Sequence, residues 1–139
     1  QQTFQTDLAL REIEVIYDQI VKHARGATGA QMVILATWSP ETGVIRGRAS
    51  SGYGTAAGQR ARRAIRLLLP SFDPDDVAMD VHVNAVQETV FLRGESITAP
   101  FIETAKDVVP DVVLRIVSKL LGVKHSTVQP LWVRGQVVG

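Results

Sequence analysis

Residues 123–139 read VKHSTVQPLWVRGQVVG, and this stretch decides the fold. A β-branched run leads into Gln129-Pro130-Leu131. Arg134-Gly135 then forms a short polar turn, and Val137-Val138 opens a second β-branched run. Strand, tight connection, strand is the reading that this order of residues supports. Pro130 has no N–H to give a central ladder, so it marks a bulge or the strand's exit.

The rest of the chain is consistent with one domain of 139 residues, a length that buries a core without staples. Cysteine is absent. That removes disulfides, thiolate zinc sites, a cysteine nucleophile and thioether-linked chromophores, and it fits a reducing compartment. A net charge of +1 gives no global reason to expect nucleic acid or a membrane surface as partner. No apolar run approaches the ~20 residues of a membrane span. The N-terminus, QQTFQTDLALRE, has no basic-then-apolar signal-peptide pattern and no initiator Met, so the chain reads as a segment of a longer protein.

Working back from the terminal hairpin, periodicity gives the remaining elements. Thr6–Ala24 predicts a helix, with Leu10, Ile13, Tyr17, Ile20 and Ala24 on one apolar face that Ile16 and Val21 widen. Leu8 and Val15 lie off that face, seven residues apart, and Gly26 and Gly29 close the segment. Ala30–Trp38 is apolar on both parities, as in a strand covered on both sides. Ser39–Gly43 is turn chemistry and Val44–Ala49 returns as a second strand, with Ile45, Gly47 and Ala49 on one face. Ser50–Gly54 is a loop of small residues. Thr55–Leu69 predicts a helix with Ala57, Ala61, Ala64, Ile65 and Leu68 inward, stopped by Pro70. A short strand is expected near Met79–Val83. Asn84 to Gln87 resembles a capping box opening a helix to Arg93, with Gly94 as its stop. Glu95–Thr98 is extended, and Pro110 opens a further helix with Val113, Ile116, Val117, Leu120 and Leu121 inward, ended by Gly122. Hairpins at both ends imply an antiparallel sheet covered by helices, an α+β architecture.

This order of elements resembles the GAF sensory domains. There a "PL", a short turn and a "vvG" recur near the end, as in Pro130-Leu131, Arg134-Gly135 and Val137-Val138-Gly139. The stretch GATGAQMVILATWSPETGVIRGRASSGYG is similar to the GAF opening, and VNAVQETVFLRGESI to the segment where a helix leads to "tGepv". The resemblance covers nearly the whole chain. It implies a GAF-like central antiparallel sheet, with terminal helices on one face and short helices over a ligand pocket on the other. It also implies a cytoplasmic sensory role, most simply within a sensor histidine kinase, binding a small molecule or partner and relaying the signal through the terminal helices. A GAF domain continues past the equivalent of Gly139 into another strand and a long helix, so residues 1–139 are expected to be a single GAF-like domain truncated before those parts. Homodimerisation through the terminal helices is expected, with no cofactor. Two other readings remain open: a dimerisation module with a vestigial pocket, and a regulatory domain of a cyclic-nucleotide phosphodiesterase or diguanylate cyclase.

The candidate ligand-binding residues are His125, Thr127, Gln129, His82, Arg46 and Arg48. His125, Thr127 and Gln129 share strand parity, and Gln129 stands where the family carries an apolar residue. A buried polar row needs partners, which either a polar ligand or the protein's own groups and water supply. His82 is a candidate haem or metal ligand, but three histidines without clustered spacing make a poor metal set. Arg46 and Arg48 share one strand face, suited either to an anionic ligand or to an edge that discourages strand pairing. Arg60, Arg63 and Arg66 fall at helical neighbour spacing, where a solvated face competes with anion binding. Asp73, Asp75 and Asp76 lack the alternating ligands and glycine of a calcium loop. No serine sits in a nucleophile elbow, and no Ser/His/Asp order is compelling. The segment has no phosphoacceptor helix and no nucleotide-binding glycine motif. The domain itself is therefore read as non-enzymatic, with catalysis left to a parent kinase.

Overall fold

A computed structural model describes residues 2–52, 54–73 and 76–139; Tyr53, Pro74 and Asp75 of the two loops lie outside the described residues. The elements run α1 (Gln2–Thr28), β1 (Val33–Ser39), β2 (Val44–Ser51), α2 (Ala56–Leu68), β3 (Ala78–Asp80), α3 (Ala85–Arg93), β4 (Ile97–Pro100), α4 (Phe101–Ala105), α5 (Asp111–Leu121), β5 (His125–Val128), β6 (Trp132–Val133) and β7 (Gln136–Val137). Every strand pair among the described residues is antiparallel, so the chain is α+β.

The pairing forms three ladders: β1-β2-β3, β4-β5 and β6-β7. The free edge of β1 is joined to the chain's end, because Trp38 N–H donates to the Val138 carbonyl at 3.0 Å. The Trp38 indole N–H donates to the Val137 carbonyl at 2.7 Å. The β6-β7 ladder extends by two further bonds, from Leu131 N–H to the Gly139 carbonyl at 2.7 Å and from Val138 N–H to the Leu131 carbonyl at 2.8 Å. Arg134 (φ 51°) and Gly135 (φ 77°) form the two-residue connection. Positive φ at both positions is the type I′ arrangement whose twist matches a hairpin.

The sequence predicts one strand running from about Val123 to Leu131 inside a sheet. The structure instead ends β5 at Val128 and starts β6 at Trp132. Pro130, lacking an N–H, sits in the break. Along His125–Val128 the partner is β4 alone among the described residues.

The β1–β2 hairpin is covered on both faces. On one, α1 lies against both strands, and Leu35 and Val21 are buried. On the other, Ile45, Val81, Val90 and Phe91 form a buried cluster that Ala36, Trp38, Met79, Ile97, Val128 and Val137 pack around. The Trp38 and Phe91 rings are tilted with centroids 5.8 Å apart, a favourable aromatic arrangement. A second cluster joins Ile65 of α2 to Val113 and Val117 of α5.

Three details differ from the sequence reading. α1 runs through Gly26 and stops at Gly29, whose φ of 70° and N–H bond of 3.0 Å to the Arg25 carbonyl close the helix. Of its expected inner face Val21 is buried and Tyr17 and Ala24 are half-buried, while Leu10, Ile13, Ile16 and Ile20 are exposed. Second, the β1–β2 register slips between Leu35 and Ala36: Ala36 faces Gly47, but Leu35 faces Ala49, leaving Arg48 as the extra residue. The two-residue alternation on β2 is therefore broken at Arg48, and Ser50 rather than Ala49 stands opposite Ile34. Third, Leu68 of α2 is exposed rather than inward.

Gly52 sits at φ 121°, and a Cβ there would collide with the Gln31 carbonyl oxygen and lie 2.9 Å from Met32 Cα. Both neighbours are backbone, so neither can swing aside. Gly52→Ala is expected to cost about 1–3 kcal/mol of stability, read as a lowered urea midpoint at unchanged slope.

Candidate functional site

A cavity of about 370 Å³ lies between the β1-β2-β3 sheet and helices α2, α4 and α5. Its floor is set by Ile34 and Ala36 of β1, which share a face, by Met32 just before that strand, and by Gly47 of β2. Ala36 and Gly47 are register partners. Two such small residues side by side leave the space that bulkier strand residues would fill. The walls come partly from helical spacing: Phe101 and Ala105 share a face of α4, and Val113 and Val117 share a face of α5, with Val109 from the loop between the two helices. Ile65, Phe72, Val77 and Met79 complete the lining.

Polar chemistry is sparse there. Arg48 and Ser50 are the polar residues of the lining. Arg48 is exposed and its Nε donates to the Thr37 hydroxyl at 2.8 Å. Among the described residues no buried side-chain nitrogen or oxygen lacks a hydrogen-bond partner.

The roof is held by α4, a helix of five residues with no side-chain cap of its own. Its final carbonyls are served from α3. Asn84 accepts from Gln87 N–H at 3.0 Å as the N-cap of α3, and its side-chain amide donates to the Thr104 and Lys106 carbonyls, each at 2.9 Å. The buried Gln87 side chain also donates to the Thr104 carbonyl, at 3.2 Å. Gln87 was expected to reach back to its own helix start as a capping box; it serves the neighbouring helix instead, because that helix has orphan carbonyls in a part-buried position. The Ser126 hydroxyl of β5 donates to the Thr104 hydroxyl at 2.7 Å. α4 is thus pinned to both α3 and β5.

Of the six candidate residues, the cavity takes one, Arg48, at its edge. His125, Thr127 and Gln129 share parity as expected, but all three are exposed. The inward side of β5 carries Ser126 and Val128, which are half-buried. Thr127 spends its hydroxyl on Thr98 across the ladder at 2.9 Å. His82 is exposed with Nδ1 3.5 Å from Glu88 Oε1. Arg46 is exposed and 3.4 Å from Asp76. Arg60, Arg63 and Arg66 lie on the outer face of α2. Among the described residues no three His, Cys, Asp or Glu converge as a metal site. A second, open depression is lined by Lys22, Arg25, Gly26, Gly29, Ala30 and Ser51.

The sequence reading sought the site in polar residues and missed the apolar wall. The signal for it was present in the small residues Ala36 and Gly47, within strands otherwise rich in larger side chains, and in the four-residue spacing of Val109, Val113 and Val117.

Comparison with protein-family models, with curated proteins and with solved structures found no match.

Two outcomes follow from this geometry. Thr127→Val combined with Gln129→Leu should change stability by less than about 1 kcal/mol, because both residues face solvent and the freed Thr98 hydroxyl can bond to water; urea denaturation checks it. Asn84→Ala should cost roughly 2 kcal/mol or more, since it removes the α3 cap and leaves part-buried carbonyls of α4 short of a donor. The same denaturation assay reads that loss, and Asn84→Asp should restore the cap without restoring the amide bonds to α4.

Proposed function

We propose that this chain is a GAF-like sensory domain of a cytoplasmic signalling protein, most simply a sensor histidine kinase, which binds a small molecule and relays its presence through the terminal helices. The observation that carries this reading is the cavity of about 370 Å³ between an antiparallel sheet and short helices, on the sheet face opposite α1. Its volume falls within the range of about 300–1,000 Å³ typical of ligand pockets. In this reading the domain regulates and the parent kinase supplies the chemistry. No described helix is long and apolar enough to cross a membrane.

The alternative of a dimerisation module has its own supporting observation. Every described side chain of α1 from Asp7 to Ile16 is exposed, and Leu8, Leu10, Ile13, Val15, Ile16 and Ile20 place six large apolar groups in water. Ile13, Ile16 and Ile20 follow three- and four-residue steps, and Leu8 and Val15 stand one heptad apart, the spacing of a helix-to-helix seam. The two roles are compatible, with a two-fold dimer formed along α1 and the cavity reporting to it.

Native mass spectrometry of the purified protein tests the ligand role; a retained small molecule supports it. If nothing is retained and no compound in a metabolite library raises the melting temperature, the sensory role is abandoned and the dimerisation reading stands alone. Light scattering tests the second role. A dimer is expected at high micromolar concentration, and Leu8→Lys with Val15→Lys is expected to raise its dissociation constant at least tenfold, roughly 1.4 kcal/mol of association free energy. A monomer at that concentration removes the dimer from the proposal.

A further inference from the structure

The cavity's lining specifies the chemistry of its occupant. Among the described residues fifteen of the seventeen that line it are apolar, Met32, Ile65, Val113 and Val117 among them, with Arg48 and Ser50 as the exceptions. The one charged side chain is exposed and already engaged by the Thr37 hydroxyl. Every buried side-chain polar atom among the described residues has a partner. Within the apolar wall nothing awaits a hydrogen bond from a ligand; the remaining Arg48 N–H groups and the Ser50 hydroxyl, at the edge, are the polar contacts open to a guest. Burying an unpaired charge against such a wall is strongly unfavourable. An apolar cavity also holds water poorly and accepts apolar guests.

We propose that this cavity binds an uncharged, largely apolar small molecule, a ring system or short hydrocarbon with at most one polar end directed to the rim at Ser50. This rests on the reading of the cavity as a ligand site, and it disfavours anionic nucleotides and other multiply charged metabolites, for which the lining offers the single cation Arg48 at its edge. The room comes from small side chains. Ala36 on the strand floor and Ala105 on α4 both line the space, so enlarging either one fills it from within.

The probes are 1-naphthol and 1-naphthyl phosphate, which share a ring system and differ in charge, with the uncharged dye N-phenyl-1-naphthylamine as fluorescent reporter. Titration calorimetry with the unmodified chain is expected to show 1-naphthol binding with a stoichiometry of one per chain and displacing the dye. The phosphate should bind at least tenfold more weakly. Ala36→Phe and Ala105→Phe, each checked for retained helix content by circular dichroism, should each weaken 1-naphthol binding at least tenfold. The α1 variant Leu8→Lys with Val15→Lys should still bind it, with less than a tenfold change since coupling to a dimer is reciprocal, which separates the cavity from the exposed helix face. If Ala36→Phe does not fold, Ala105→Phe decides alone, because it alters a short helix at the roof rather than the sheet.

Tighter binding of the phosphate, lost in the Phe variants, would overturn the ligand class while leaving the cavity as a ligand site. Binding of 1-naphthol that persists in both Phe variants, or disappears in the α1 variant, would overturn the assignment to the cavity. Failure of both naphthyl compounds to bind a folded chain overturns the proposed class and, if no metabolite raises the melting temperature, the site as well.

Discussion

The β1–β2 hairpin has to be dry on both faces, and the other elements are arranged around that demand. Leu35 and Ile45 point to opposite sides of the two strands, and both are buried. Two strands alone cannot cover their own faces. One side therefore takes α1, with Val21 wholly buried, and the other takes the cluster of Val81, Val90 and Phe91. Burial of apolar surface of this kind is the main favourable contribution to folding, about 25 cal/mol per Å² removed from water. β1 also has a free edge, and the bonds from Trp38 to Val137 and Val138 occupy part of it.

A second layer of order depends on polar groups. α4 is too short to hold itself, since isolated helices of this size are unstable without tertiary support. Thr104 gathers that support: its carbonyl accepts from Asn84 and Gln87, and its hydroxyl accepts from Ser126. Two residues of α3 and one of β5 thus converge on one turn of helix. Because the same helix contributes Phe101 and Ala105 to the cavity, the polar network on its far side fixes the shape of an apolar space. The half-buried position of these groups makes satisfying them worthwhile, since each orphan would cost roughly 1–3 kcal/mol.

Much of the fold was legible in the sequence, for identifiable reasons. Apolar residues on both parities of Ala30–Trp38 called for a strand covered twice, and β1 is so covered at Leu35 on one face and at Ala36 and Trp38 on the other, while Ile34 stays exposed. Arg134-Gly135 announced a tight turn, and the pair adopts the positive φ values it requires. Gly94 and Gly122 stop α3 and α5 in the left-handed conformation expected of them. The errors arose where tertiary context overrides periodicity. The apolar face of α1 runs from Leu10 to Ala24, yet only its second half is covered, with Val21 buried and Tyr17 and Ala24 half-buried while Leu10, Ile13 and Ile20 stay exposed. The bulge at Arg48 follows from pairing register, which no single strand records. α4 went unread because five residues carry no period. The polar row His125, Thr127 and Gln129 was placed inward because Val123–Leu131 was read as an interior strand; the covered face of β5 is instead that of Ser126 and Val128, and the polar row faces water.

The strand alternation that organises the core also gives the proposed sensing a physical route. Ala36 lines the cavity, and its neighbour Leu35 is buried on the face that α1 covers. Gly47 stands opposite Ala36, and the next residue, Arg48, is the bulge. A guest pressing on Ala36 and Gly47 therefore acts on the segment where the ladder is already irregular, one residue from the side chains that seat α1. A regular ladder resists such displacement, because each bond constrains the next; a bulge leaves one residue unpaired and free to absorb it. Close packing on the α1 side then converts a small shift of the strand into a change of helix position, since packed interiors transmit strain with little compression. Under the proposed function, the exposed first half of α1 is the part that such a change would move.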